Sequence, residues 1–462
     1  MSRGLGRGRY RRGAAGAGAG PGSAATEPAE GGTIGRGSAL LFGAQLVGNA
    51  GFFFAVLIIA RSLGPSGRGA IAFITVTALV VARVMKVGIS QATTVFAAQR
   101  PHERAVLLSN LIIFSIAGSL AGAGLLCGVL LAAPGIRPGD IGATELWILL
   151  AGTVATSLWD ESFLLGCNRM RALAGLIAIA GWMYVLVLGL AWATVGLDVS
   201  TVAGAWAVSQ ALAGLMFQAG PLWSLGLALP SLRLLREMLR FGTRAWVGTL
   251  SALLNARFDQ ILMAFITTQA TLGIYAVAAN SSELLLYVPA AIATAMLPAI
   301  AGNNTLTAER ALRLFRAASV IGIGAALVAA AAGPVLVPLV FGEPFRASVA
   351  PFLWLLPGVV GYTAMSITNS ALLASGAPGR SSLGPLACLV AGVALDLVLI
   401  PAFGASGAAA AATAGFTIGG ITGVLLYRHQ VSFGWSELVP RPGDAGAVWA
   451  FASGLVRRRS SA

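Results

Sequence analysis

Long runs of apolar residues, separated by short polar segments, dominate the chain from residue 38 onward. A helix that crosses the hydrocarbon core of a bilayer needs roughly 20 predominantly apolar residues. Twelve such runs are found, at residues 38–60, 69–98, 106–132, 144–166, 173–196, 200–223, 244–267, 272–300, 317–340, 349–373, 382–400 and 405–427. The pattern therefore predicts an all-α, polytopic membrane protein with about twelve transmembrane helices.

A basic, amphipathic segment at residues 224–243 divides these spans into two groups of six. The predicted N-terminal half covers residues 38–223 and the predicted C-terminal half covers residues 244–427. Faint similarity between the halves, such as Phe42-Gly43 and Phe241-Gly242, favours a parallel repeat. In transporters built from such repeats, the substrate site lies between the repeats.

The two ends of the chain differ from the spans in composition. Residues 1–37 are rich in Gly, Ala and Arg and contain few large apolar residues, so they predict a disordered, basic, cytoplasmic tail. Residues 428–462 predict a second cytoplasmic tail. Its apolar patch at residues 445–456 is too short to span a bilayer, and the arginines after it suit a membrane surface.

The positions of the basic residues predict the orientation. With the N-terminus in the cytoplasm, 23 of the 30 basic residues fall on the cytoplasmic side. Four fall in outside loops, namely Arg61, Arg68, Arg137 and Arg346. Because cytoplasmic loops carry an excess of Lys and Arg, this split predicts that both termini are cytoplasmic.

Composition narrows the function classes. Hydrophobic residues make up 57% of the chain and charged residues only 10%, whereas soluble proteins carry about 25% charged residues. The net charge of +14 follows from the cytoplasmic segments, so nucleic acid is not expected as a partner. Three cysteines without CxxC spacing and two histidines argue against a disulfide framework, a metal site or histidine catalysis. We expect neither an enzyme nor a cofactor.

Four groups of motifs appear in order between about Ser38 and Tyr427. The first is Ile59–Gly69 (IARSLGPSGRG), and the second combines Leu239–Gly242, Phe258–Leu262 and Leu272–Ala276. The third is Leu339–Phe345 (LVFGEPF), and the fourth is Leu399–Ala409 (LIPAFGASGAA). Together they resemble the polysaccharide-biosynthesis branch of the multidrug, oligosaccharidyl-lipid and polysaccharide exporter superfamily. The chain departs from the family pattern at Arg68, where an aromatic residue is usual, and at Asp396, near a position that is often Asn.

The resemblance implies a flippase of the bacterial cytoplasmic membrane. It would translocate a polyprenyl-pyrophosphate-linked glycan, or a related polysaccharide precursor, by alternating access of the two halves. A glycan polymerase or glycosyltransferases are then candidate partners, beside the lipid bilayer. Since no nucleotide-binding motif is present, an ion gradient, the membrane potential or the substrate gradient would drive transport.

Ionisable residues within spans are costly and are therefore candidate functional residues. For binding the pyrophosphate we predict Arg257, Arg83 and Lys86, since cationic side chains suit phosphate. For ion coupling or charge pairing we predict Asp259, Glu283 and Asp396. Asp160 and Glu161 lie near the inner end of the fourth span, where pairing with Arg169 or Arg171 is the simplest interpretation.

Alternatives remain open at this stage. Arg257 could form a structural pair with Glu283, and Asp259 could pair with Lys86. The acidic residues within the spans would also suit a cation-coupled multidrug exporter of the same superfamily. A membrane-embedded glycan polymerase would need larger outside loops, and a non-transporting membrane scaffold would need no binding site.

Overall fold

The computed structural model of the chain describes residues 30–139, 141–300, 306–375 and 377–439. Within these residues the secondary structure is helical, with short turns and no β-strand. The predicted N-terminal half contains seven of the described helices, which are α1 (Glu30–Met85), α2 (Ile89–Gln99), α3 (Arg104–Ala132), α4 (Ala143–Leu158), α5 (Ser162–Gly166), α6 (Met170–Thr194) and α7 (Val199–Leu225).

The C-terminal half begins with α8 (Leu232–Ile266). It continues with α9 (Gln269–Ile300), α10 (Leu306–Phe341), α11 (Val349–Leu355), α12 (Gly358–Ala374), α13 (Pro378–Ser381) and α14 (Leu383–Gln430). The long apolar helices confirm the prediction of an all-helical, multi-pass membrane protein.

Two helices contain a sharp reversal at a glycine with positive φ. Gly64 in α1 has φ 66° and Gly404 in α14 has φ 56°, a region that glycine adopts without steric penalty. In α14 the two arms lie antiparallel and pack closely against each other. A methyl group on Gly415 would be only 3.1 Å from the carbonyl oxygen of Cys388 on the other arm. We call the end of the bundle that carries Gly64 and Gly404 the outer end, following the predicted orientation.

In the described part of the chain, eight helices are long and apolar enough to cross a membrane. A ninth candidate is the bent pair Glu343–Leu355 and Gly358–Ala374. Two of the eight are much longer than one span: Gly379–Gln430, with 52 residues, contains two predicted spans, and Leu40–Met85, with 46, covers most of one and the first part of the next. Helix α8 is not among the nine, since its second half carries Arg257 and Asp259. The count of twelve stays a prediction.

Several boundaries differ from those that hydropathy suggested. The second predicted span, 69–98, is interrupted between α1 and α2, where Val87 and Gly88 have positive φ. The fourth, 144–166, is interrupted between α4 and α5. These interruptions contain Lys86 and Asp160, which form an ion pair with each other.

The predicted linker at 224–243 is largely helical and continuous with the seventh span. Helix α8 begins at Leu232 instead of residue 244, because its buried Leu234 and Met238 pack against the N-terminal half. The Ser231 hydroxyl caps α8 by accepting from the Leu234 amide at 3.3 Å. The Asn110 side chain donates to the Ser231 carbonyl and accepts from its amide, both at 3.1 Å. The start of helix α8 therefore packs against the N-terminal half.

Most of the predicted tails, residues 1–29 and 440–462, lie outside the described residues. Helix α1 begins at Glu30, before the predicted span start at residue 38. Residues 431–439 fold back onto the C-terminal half, where Phe433 is buried and packs beside Tyr427. The Arg316 guanidinium donates to the Glu437 carbonyl at 2.7 Å and holds this segment in place.

The two halves contact each other at both ends of their interface. At the outer end, Gly69 and Gly273 bring α1 and α9 so close that a methyl group on either would overlap the opposite backbone. Arg61 adds two hydrogen bonds, to the carbonyl oxygens of Val340 at 2.8 Å and Leu339 at 2.7 Å. At the inner end, Gly88 and Gly242 approach equally closely. Between these contacts lies a cavity.

Candidate functional site

A cavity of about 230 Å³ lies between the two halves. Sixteen of its nineteen lining residues come from the N-terminal half, so the binding surface belongs mainly to that half. The C-terminal half contributes only three residues, all of them polar: Arg257, Gln260 and Asn280.

The part of α1 that follows Gly64, which we call its second arm, lines one side of this cavity. Arg68, Ala72, Thr75 and Leu79 line it and follow one another at intervals of three or four residues. That spacing places side chains on one face of a helix. Because the chain reverses at Gly64 and the helix continues at once, Arg68 enters the cavity from the first turn of this arm.

Arg68 is the cation that the cavity leaves uncompensated. Its side chain is buried, with 4% of the residue exposed. Its guanidinium makes no hydrogen bond or ion pair with any of the described residues, and its buried Nε has no partner. Arg257 and the Tyr184 hydroxyl lie within electrostatic range of it. The cavity therefore presents an unbalanced positive charge inside the bundle.

The prediction that Arg68 lies in an outside loop is wrong. Hydropathy placed residues 61–68 between two spans, whereas the structure turns at Gly64 and buries Arg68. One signal in the sequence pointed to it, since Arg68 stands where the family that the sequence resembles usually has an aromatic residue.

Arg257 and Glu283 form a two-pronged pair between α8 and α9. The guanidinium donates from Nη1 to Oε1, and from Nη2 to Oε2 at 3.2 Å. The side chains are 21% and 30% exposed, so the pair is partly open. Of the two structural pairings left open by the sequence, this one is formed. Arg257 therefore lines the cavity while Glu283 neutralises its charge.

Lys86 lies outside the cavity lining, in a buried ion pair with Asp160. Its Nζ is 2.5 Å from Oδ2 of Asp160, and both side chains are at most 5% exposed. The Ser90 hydroxyl donates to the same oxygen at 2.6 Å, and the Ser162 amide donates to Oδ1 at 2.9 Å. Asp160 is thus paired with Lys86 rather than with Arg169 or Arg171, and Lys86 is not paired with Asp259.

Arg83 continues the face of α1 that carries Arg68 and Leu79 towards the inner end. It is exposed and does not line the described cavity. Its position on that face places it between the cavity and the inner end of the bundle.

A second, smaller pocket of about 30 Å³ lies in the C-terminal half and brings Asp259 and Asp396 together. Asp259 accepts a hydrogen bond from the Tyr275 hydroxyl and one from the Gln260 amide at 2.7 Å. Asp396 is 5% exposed, and its Oδ1 has no partner among the described residues. A cavity needs only about 10–15 Å³ to hold a water molecule. The pocket therefore has room for a small ion or water.

Comparisons with known proteins place the fold. The family described as polysaccharide biosynthesis protein matches residues 58–350. The structure is similar to the lipid II flippase MurJ in an inward closed conformation, with a TM-score of 0.69 and 14% identity over 87% of this chain and 89% of that one. It is also similar to an inward-facing multidrug resistance MATE family transporter of the MOP superfamily, with a TM-score of 0.65 and 16% identity over 83% and 94% of the chains. No curated protein matches the sequence.

Replacing Arg257 by Ala is expected to destabilise the protein, since Glu283 would then be left without its partner. Breaking a fully buried ion pair costs about 3–5 kcal/mol, and partial exposure should reduce this to about 1–3 kcal/mol. The melting temperature of the detergent-solubilised protein measures the effect. The matched control combines Arg257→Ala with Glu283→Ala and should recover most of the loss. A double variant no more stable than the single one would contradict a stabilising pair.

Proposed function

The chain belongs to the polysaccharide biosynthesis protein family, and from this premise we propose that it is a flippase for a polyprenyl-pyrophosphate-linked glycan or a related polysaccharide precursor. Transport would proceed by alternating access of the two halves. The observation that carries this proposal is the buried Arg68, which lines the cavity without a counterion among the described residues.

A buried charge inside a membrane protein persists only where something neutralises it. An anionic head group would do this for Arg68, and the planar fork of donors on Arg matches the oxygens of a phosphate. Arg257 lies on the opposite wall, across the interface between the halves. A pyrophosphate held between Arg68 and Arg257 would therefore contact both halves at once.

The size of the cavity supports binding of the head group alone. Its volume of about 230 Å³ is below the range of about 300–1,000 Å³ of pockets that enclose drug-sized ligands. We propose that the polyprenyl chain stays in the bilayer while the charged end of the molecule passes through the bundle.

The second pocket supports a role in ion coupling. Asp259 and Asp396 share it, and an unpartnered buried carboxylate favours a bound cation or proton. Helix α8 carries both Arg257 at the cavity and Asp259 at this pocket. Cation binding and head-group binding would therefore act on the same helix.

A cation-coupled multidrug exporter is the second candidate, and the Asp259–Asp396 pair favours it. An organic cation in the cavity would, however, lie beside the uncompensated Arg68 and be repelled. A non-transporting scaffold would bind no anion, so it would not explain the buried charge of Arg68. The flippase accounts for both pockets.

The family and the basic segments support a setting in the bacterial cytoplasmic membrane with both termini in the cytoplasm. A glycan polymerase or glycosyltransferases would supply or consume the substrate.

A reporter that is active only outside the membrane, fused after residue 462, should show no activity. The control fuses the same reporter at Arg137, in a predicted outside loop, and should be active. Strong activity at residue 462 would refute the even number of spans.

Replacing Arg68 by Met should abolish most transport without reducing the amount of folded protein. Losing a charge-assisted hydrogen bond to phosphate costs about 1.5–3 kcal/mol, or roughly ten- to 150-fold in affinity. Flipping of a polyprenyl-pyrophosphate-linked glycan in reconstituted vesicles measures the effect. Arg346→Met removes an exposed arginine from the outer end and serves as the control. Normal flipping by Arg68→Met would exclude Arg68 from substrate binding.

Replacing Asp396 by Asn should uncouple transport from the ion gradient. The change removes the charge but keeps the shape, so substrate binding in the N-terminal half should persist while the gradient no longer accelerates flipping. Vesicles with imposed sodium or pH gradients measure this. Asp198→Asn, which replaces one N-cap of α7 by another, is the control. A full response to the gradient in Asp396→Asn would refute the coupling role.

A further inference from the structure

The N-terminal wall of the cavity contains a second buried polar atom without a partner. The Tyr184 hydroxyl, on α6, makes no hydrogen bond with any of the described residues, and Tyr184 is 5% exposed. Tyr184 and Arg68 both line the cavity and lie within electrostatic range of each other. Buried hydroxyl groups are nearly always hydrogen-bonded, so an unpartnered one beside a cavity points to a ligand.

Two aromatic side chains and a hydrogen-bonded amide also line this cavity. Trp159 and Trp206 both line the cavity. The position of Trp206 depends on Gly152, because a methyl group on that glycine would overlap the indole ring. The Gln210 amide lines the cavity too, and its Nε2 donates to the Thr156 hydroxyl at 3.2 Å. This bond leaves the amide oxygen free to accept from a ligand.

This combination fits a sugar ring. A pyranose presents apolar C–H groups on its faces, which pack on aromatic rings, and hydroxyl groups around its edge. The edge hydroxyls require both donors and acceptors, and Tyr184 and Gln210 supply them. A bare pyrophosphate would use the charge of Arg68 but neither indole ring.

We propose that Tyr184, Trp206 and Gln210 bind the sugar that is attached directly to the pyrophosphate. This inference rests on the proposed flippase function and names the part of the glycan that the cavity recognises. Since the cavity measures only about 230 Å³, the outer sugars of a longer glycan lie beyond it.

The test compares two kinds of soluble probe on the full-length protein in detergent. One is a short-chain polyprenyl pyrophosphate, and the other is the same molecule carrying a single glucose, galactose or N-acetylglucosamine. In the wild type, at least one sugar should raise the affinity about tenfold, as expected for one or two added hydrogen bonds. Tyr184→Phe, and separately Gln210→Met, should reduce this difference to less than about threefold.

The substitution Tyr184→Phe suits this test because it removes only an oxygen atom that no described residue contacts. The melting temperature should therefore not fall. Thr77→Val is the matched control, since the Thr77 hydroxyl is also buried without a partner but does not line the cavity. It should keep the full preference for the sugar.

Separate results would overturn the two proposals. If Arg68→Met loses binding of both probes but Tyr184→Phe keeps the preference for the sugar, the sugar site is wrong and the flippase proposal stands. If no sugar raises the affinity of the wild type, the sugar site is again wrong. If the wild type binds neither kind of probe, the proposed function fails as well.

Discussion

A charge buried in the bilayer needs a partner, and this requirement organises the interior of the protein. Burying an ion without compensation costs several kcal/mol or more. Lys86 pairs with Asp160, and Arg257 pairs with Glu283. Two buried charges remain without a counterion among the described residues, Arg68 in the N-terminal half and Asp396 in the C-terminal half. Arg68 lines the larger cavity and Asp396 lines the smaller pocket, so both unbalanced charges lie at a pocket.

Helix α8 connects these two pockets. Arg257 and Asp259 are two residues apart, which places them on well-separated faces of a helix with 3.6 residues per turn. One faces the cavity and the other faces the acidic pocket. Helix α9 holds both positions, through Glu283 to Arg257 and through Tyr275 to Asp259. Helix α9 therefore contacts α8 at both pockets.

Close glycine contacts occur within each half and also between the halves. Within the N-terminal half, Gly48 and Gly181 bring α1 and α6 into backbone contact, and within the C-terminal half Gly361 and Gly420 do the same for α12 and α14. Helices in lipid associate through such close packing, since lipid tails offer no hydrophobic gain. Between the halves, comparable contacts occur at Gly69 with Gly273 and at Gly88 with Gly242.

The sequence by itself determined the all-helical membrane architecture and the family, because apolar runs of spanning length and turn motifs are local features. It also identified Arg257 and Glu283 as a candidate pair. Only the tertiary structure decided that Arg68 lines the cavity, that Lys86 meets Asp160, and that Tyr184 lacks a partner. Hydropathy reports which residues enter the bilayer, whereas charge partners depend on how each helix is rotated and where it breaks. Those rotations are set by packing between residues far apart in the chain, as Arg68 on α1, Tyr184 on α6 and Arg257 on α8 illustrate.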